Sequence, residues 1–143
     1  MLGTPQTHIC ITKPERNQNS NQHYENYISI DFSQKFLQAH KTPKDTPNGY
    51  VRVHLIQGGK VRKKRKSAVR KGSDCPVWDE ALQFTIPAKS LPTSQVEVTL
   101  LDYDRIGNHK VIGKVMIGGN DEIWKDLIAG TTITPRWMKL KPP

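Results

Sequence analysis

From Tyr50 onward, apolar side chains return at every second position. Val51, Val53 and Leu55 alternate with Arg52 and His54, which is the period of a half-buried strand, and Gln57-Gly58-Gly59 after them is a turn signal. Residues 61–69 predict a second extended segment, closed by Gly72-Ser73-Asp74 and Pro76. Leu82, Phe84 and Ile86 then alternate with Gln83 and Thr85 as far as Pro87. Val96, Val98 and Leu100 repeat the pattern up to the polar turn 102–108, and a further strand over 111–117 stops at Gly118-Gly119. Strands at such even spacing predict an antiparallel sandwich or barrel.

One segment changes period. Asp121 is placed to cap a short helix in which Ile123, Trp124, Leu127 and Ile128 share a face, with Gly130 positioned to end it. Residues 135–140 predict a last strand. Before Tyr50 the pattern weakens: 27–32 has strand character, 7–12 is a weaker candidate, and 13–26 is polar with one aromatic residue, Tyr24. With 143 residues and no internal repeat, the chain has room for a single core.

Charge adds what periodicity cannot. The net charge is +9, from 22 Lys and Arg against 13 Asp and Glu, which predicts attraction to polyanions such as phospholipid headgroups, nucleic acid or acidic proteins. The surplus is not spread evenly: residues 60–71 hold eight basic residues and no acidic one. Cys10 and Cys75, in no metal-like spacing, argue against a disulfide framework or structural zinc and fit a reducing compartment. No apolar run approaches the ~20 residues of a membrane span, and residues 1–10 lack the regions of a signal peptide, so the chain as it stands reads as soluble. An anchor ahead of it in a longer protein remains compatible with that reading.

The candidate chemistry centres on Lys60, Arg62, Lys63, Lys64, Arg65 and Lys66. In a regular strand, Arg62, Lys64 and Lys66 point to one face and Lys63 and Arg65 to the other, with same-face charges ~7 Å apart on a rigid sheet. Each such charge near an anionic leaflet contributes about 1 kcal/mol, so a lipid surface is the leading target. Two other readings stay open: lysines guarding a sheet edge against aggregation, and a nuclear localisation or nucleic-acid tract of the same composition. The strand-like bounds and the lack of interleaved aromatic residues favour lipid over nucleic acid.

The turn after Leu101 carries Asp102 and Asp104. Two carboxylates fall well short of the 6–8 oxygens calcium takes, and the spacing is not that of an EF-hand, so the two can equally shape a polar loop. No enzyme signature appears. The histidines at 8, 23, 40, 54 and 109 are scattered, HExxH and GxSxG are absent, Gly58-Gly59-Lys60 lacks the rest of a phosphate-binding loop, and Cys75 beside Pro76 reads as a small filler.

Together these segments resemble the second C2 domain of synaptotagmins, over about the last two-thirds of the chain. The residues carrying the resemblance are Tyr50 to Leu55, the basic run, Pro76 with Trp78-Asp79-Glu80 and Phe84, residues 98–107, Ile112-Gly113-Lys114-Val115, Trp124-Lys125-Asp126-Leu127 and Trp137-Met138-Lys139-Leu140. The resemblance implies an all-β, eight-stranded antiparallel Greek-key C2 β-sandwich, with one short helix before the last strand and divergent N-terminal strands. Residues 1–23 would be a divergent or partly disordered lead-in supplying at most the first strand, and 24–143 the C2 domain. It also implies a non-enzymatic module, cytoplasmic and peripheral on membranes or vesicles, in vesicle traffic and exocytosis. The basic strand would bind anionic phospholipid, phosphoinositide above all. The alternative is an adaptor for acidic partners such as SNARE proteins or the clathrin adaptor, and oligomers with other C2 proteins are open.

The sequence departs from the family where calcium would bind. Calcium-binding members place five aspartates in two loops, and the matching positions here read Thr42, Asn48, Asp102, Asp104 and Lys110. No calcium binding below millimolar levels is expected, and the Lys110 ammonium is placed to pair with Asp102 or Asp104 in a cation's stead. An arginine pair usual before the last strand is also missing, since Thr131-Thr132-Ile133-Thr134-Pro135-Arg136 leaves only Arg136 there.

Overall fold

Apolar alternation produces strands here, but the strands extend further than the alternation does. The computed structural model describes residues 5–12, 25–36, 48–71, 77–129 and 136–143, with side chains at 48–71, 82–87, 89–129 and 138–143. Eight strands are described: β1 (Pro5–Thr12), β2 (Glu25–Phe36), β3 (Gly49–Gln57), β4 (Lys60–Lys66), β5 (Val77–Pro87), β6 (Ser94–Asp102), β7 (Lys110–Gly118) and β8 (Arg136–Lys139). A 3-10 turn spans Ala88–Thr93, and the helix α1 spans Glu122–Ala129. Most strands outrun the sequence pattern because ladder bonds join backbones, whereas alternation shows only where one face meets the core.

The strands form two four-stranded sheets, ordered β5-β2-β1-β8 and β4-β3-β6-β7, with antiparallel neighbours throughout. The chain crosses between sheets at β2–β3, β4–β5, β5–β6 and β7–β8, which makes a Greek-key sandwich. Between the sheets lies one apolar cluster: Val51, Val53 and Leu55 from β3, Val96, Val98 and Leu100 from β6, and Leu82, Phe84 and Ile86 from β5.

Helix α1 closes the core with Ile123, Trp124 and Leu127, and the Trp124 indole N–H donates to the Leu91 carbonyl in the 3-10 turn (2.9 Å). Two expectations change here. Ile128 is 43% exposed, because it lies about 40° beyond Trp124 around the helix, outside the buried arc. The Asp121 side chain does not cap the helix: its carboxylate accepts the Gly118 N–H (2.9 Å), while its carbonyl starts the helical ladder by accepting from Trp124 and Lys125.

The hairpin that presents the basic strand is tight. Gly58 and Gly59 both have positive φ, 58° and 77°, as a two-residue type I′ turn demands. β4 ends at Lys66, short of the expected 69. The Ser67 hydroxyl accepts the Val51 N–H (2.8 Å) and donates to the Ala68 carbonyl (3.0 Å), after which backbone pairing resumes between Gly49 and Arg70. At the opposite edge, Lys141 pairs with Lys114 and seats Leu140 in the core; a Cβ on Gly113 would come within 2.8 Å of the Leu140 Cβ.

The expected turn at Gly72-Ser73-Asp74 with Cys75 and Pro76, the helix stop Gly130 and the stretch 131–135 lie outside the described residues. No described helix is long and apolar enough to cross a membrane.

Ser67 is 7% exposed, so removing its hydroxyl strands the Val51 amide in a dry site. Ser67→Ala is expected to lower stability by about 1–3 kcal/mol in chemical denaturation, without loss of the β-sheet circular dichroism signal.

Candidate functional site

The basic run is an edge strand. Among the described residues β4 pairs only with β3, and all seven of its residues are exposed, six of them Lys or Arg with Val61 between the first two. Opposed residues of an antiparallel pair share a face, so the register assigns each side chain. Lys64 and Lys66 lie opposite His54 and Arg52 on the outer face. Lys63 and Arg65 lie opposite the core residues Leu55 and Val53, on the inner side at the sandwich rim. There the Arg65 guanidinium stands 5.8 Å from the centre of the buried Phe84 ring, a cation–π contact that fixes it against the other sheet.

The expected row of Arg62, Lys64 and Lys66 does not form. Pairing steps from Leu55 with Lys63 to Ile56 with Val61, so Arg62 is the extra residue of a bulge and has no cross-strand partner. The bulge turns Val61, 45% exposed, onto the outer face with Ile56.

Strand order extends the basic surface beyond the sequence run. Across the outer face, one row reads Lys66, Arg52, Thr99 and Lys114, and the next reads Lys64, His54, Glu97 and Met116. In these two rows Arg52, Lys64, Lys66 and Lys114 thus share the face with a single carboxylate, Glu97. Arg52, His54 and Lys114 give no motif in the sequence. Only the polar alternation within β3 signals the first two, and nothing local signals Lys114, which comes from the far edge strand.

His54 stands at the middle of this face. Its Nδ1 lies 3.8 Å from Glu97 Oε1, an ion-pair distance only when the ring is protonated. Its Nε2 and the Nε of Arg52 are buried without a hydrogen-bond partner. Burial, and after it the Arg52 guanidinium, lower the ring's pKa from its ordinary value; Glu97 opposes the shift and Lys64 adds to it.

The turn between β6 and β7 brings together some of the positions at which the resemblance would place calcium ligands. The Asn48 N–H donates to Asp102 Oδ1 (2.9 Å), and the Asn48 carbonyl accepts the Tyr103 N–H (2.8 Å). Asp104 Oδ1 accepts the Ile106 N–H (2.9 Å), closing the turn on itself. The expected pairing of Lys110 with these carboxylates is not formed: among the described residues no ion pair joins Lys110 to Asp102 or Asp104. Lys110 is instead an exposed ladder partner of Asp102 at the end of β7, while both carboxylates accept backbone amides. His109 braces the turn through a 2.6 Å hydrogen bond between its Nδ1 and the Tyr50 hydroxyl, and through ring contact with Tyr103 at 4.8 Å. Thr42 lies outside the described residues. Among those described, no group of three or more His, Cys, Asp or Glu could hold a metal ion.

A family model described as the C2 domain matches residues 31–140. The chain is similar to human Synaptotagmin-5, at 38% identity over 100 residues that make up 66% of this chain and 26% of that protein. It is likewise similar to Synaptotagmin-B of Diplobatis ommata, at 40% over 99 residues, 65% of this chain and 23% of the relative. The chain therefore spans about a quarter of the length of these relatives. Among solved structures, a C2 domain of RIM from Drosophila superposes with a TM-score of 0.68 at 18% identity, covering 97% of this chain and 99% of that one. The first C2 domain of human synaptotagmin XIII gives 0.65 at 20% identity, covering 98% and 90%. At such identities these likenesses speak to the fold alone.

A ring held neutral in the folded state has a defined effect on stability. The unfolded chain takes up a proton on His54 near its ordinary value of about 6.5, before the folded chain does, so this group costs stability as pH falls through that value toward the lower folded one. Denaturation midpoints measured across that window are expected to decline in the native chain and to decline less in His54→Gln.

Proposed function

Because the chain belongs to the C2 domain family, we propose that it is a non-enzymatic binding module, of the kind of a synaptotagmin second C2 domain, which docks on anionic, phosphoinositide-containing membranes without calcium. Lys60, Arg62, Lys63, Lys64, Arg65 and Lys66 carry the contact, aided by Arg52 and Lys114 on the adjoining face. The observation that supports this reading is the full exposure of β4 on a sheet edge, where a rigid ladder holds its charges and none is spent on an internal ion pair among the described residues. Each charge near an anionic leaflet adds about 1 kcal/mol, with a reach of about 8 Å at physiological salt, so several must act together and the binding must be salt-sensitive.

Calcium independence is supported by the turn after β6. Asp102 and Asp104 are already bonded to backbone amides, so the loop holds its shape through its own groups. Its tip presents Ile106, 88% exposed, as an apolar contact available without a metal. In a cell this module would sit in the cytoplasm, peripheral on membranes or vesicles, and serve vesicle traffic and exocytosis. β4 is anchored in a hairpin rather than on a free segment, which weighs against the nuclear-signal reading.

A second reading is favoured by the open edge of β4. An extended acidic segment, from a SNARE protein or the clathrin adaptor, fits such an edge by charge and by strand addition. Liposome flotation separates the two. Replacing Lys63, Lys64, Arg65 and Lys66 with alanine is expected to weaken binding to phosphoinositide vesicles by two to three powers of ten, about 1 kcal/mol for each charge, with binding also falling steeply in salt. Indifference to lipid with retained capture of an acidic partner would favour the adaptor reading. Calorimetry with calcium is expected to show no heat at micromolar metal, and a micromolar constant would sink calcium independence.

A further inference from the structure

The outer face of the β4-β3-β6-β7 sheet contains one group whose charge is not fixed. His54 sits on β3 with Arg52 two residues before it. From β4 it is faced by Lys64 directly and Lys66 diagonally, and from β6 by Glu97 directly, with the uncharged Gln95 and Thr99 on either side. One strand further, β7 contributes Met116 and Lys114 to the same two rows. Cations therefore outnumber the one carboxylate, and that carboxylate, 3.8 Å from Nδ1, is beyond hydrogen-bonding distance of a neutral ring. On the other side of the ring, Nε2 is buried with no partner, as is the Nε of Arg52 on the same strand. The native chain holds the ring without completing its hydrogen bonds, and burial first, then the Arg52 guanidinium and more weakly Lys64, oppose its proton.

We propose that His54 is a proton-coupled member of the anion-binding face: lipid phosphate laid over Arg52, Lys64 and Lys66 offsets the positive charge around the ring, and the face binds phosphoinositide headgroups more tightly as pH falls. The inference rests on the membrane reading above. The step is transfer of a proton from solvent hydronium to the ring: one N–H bond forms, one O–H bond breaks, and a water molecule is released. Binding and protonation are linked reciprocally, so an anion that favours the imidazolium is itself bound more tightly once the ring is charged. One further charge at an anionic surface is worth about fivefold in affinity. Phosphomonoester headgroups lose charge on acidification, which works in the opposite direction, so the comparison that matters is between the native chain and His54→Gln.

The test is flotation with phosphatidylcholine vesicles containing phosphatidylinositol bisphosphate at about pH 7.5 and about pH 5.5, bracketing the histidine range. Affinity of the native chain relative to His54→Gln is expected to rise about fivefold between the two. His54→Lys, charged at both, should show no such rise. Equal pH profiles for the native chain and His54→Gln would overturn the inference. In parallel, the His54 ring is titrated by NMR in the native chain, with and without soluble inositol trisphosphate. The midpoint is expected to move upward with the ligand, and an unmoved midpoint would overturn the coupling even if a variant fails to fold. Vesicles that bind the native chain at neither pH would instead bring down the membrane reading, and the ring titration would still decide whether phosphate and proton are coupled on this face.

Discussion

The register of β3 against its two neighbours is the constraint on which the rest depends. β3 lies between β4 and β6, and its alternate residues serve opposite purposes: Val51, Val53 and Leu55 enter the core, while Arg52 and His54 face out. A slip of one position would drive Arg52 and His54 between the sheets and expose the valines, at a cost of several kcal/mol in lost burial and unpaired charge. The glycine turn at 58–59 and the Ser67 hydroxyl pin the two ends of the β3–β4 pairing, so the position of the basic strand follows from the packing of the core.

An edge strand so heavily charged cannot be explained by packing. Its residues add almost nothing to the core, apart from Arg65 lying over Phe84. The Arg62 bulge interrupts the edge and, together with the charge, discourages pairing between copies of this chain. Strand alternation spreads the cations over two directions, with Lys64 and Lys66 on the outer face and Lys63 and Arg65 at the rim, and the bulge takes Arg62 out of the outer row.

The turn after β6 and the middle of the outer face show two ways of managing charge. In the turn, backbone amides occupy Asp102 and Asp104, and a Tyr50–His109–Tyr103 cluster braces the chain, so local bonds hold the loop. On the sheet, Glu97 is the carboxylate that faces the cations among the described residues, and His54, by its burial and then by the Arg52 charge beside it, loses affinity for its proton. In the first arrangement the loop's shape rests on bonds within the chain. The second leaves the sheet's charge responsive to whatever anion approaches.

By itself the sequence determined the all-β class, most of the strands from Tyr50 onward, the helix before the last strand, and the basic run, because these depend on period and on residues close together in the chain. Alternation in β3, β5 and β6 marked the core without any knowledge of partners. The tertiary structure decided what depends on strand order and register: that β4 is an edge, that a bulge takes Arg62 out of its row, and that Lys114 from β7 joins Arg52 and Lys66 on one face. It also decided how groups distant in the chain use their bonds. The Asp102 carboxylate meets the Asn48 amide rather than the Lys110 ammonium, and Asp121 turns back to Gly118, because a backbone N–H held in place by a ladder or turn is nearer and better aimed than a flexible side chain. Spacing along the chain records neither the strand order nor those competitions, since both are settled only when the two sheets close on their common core.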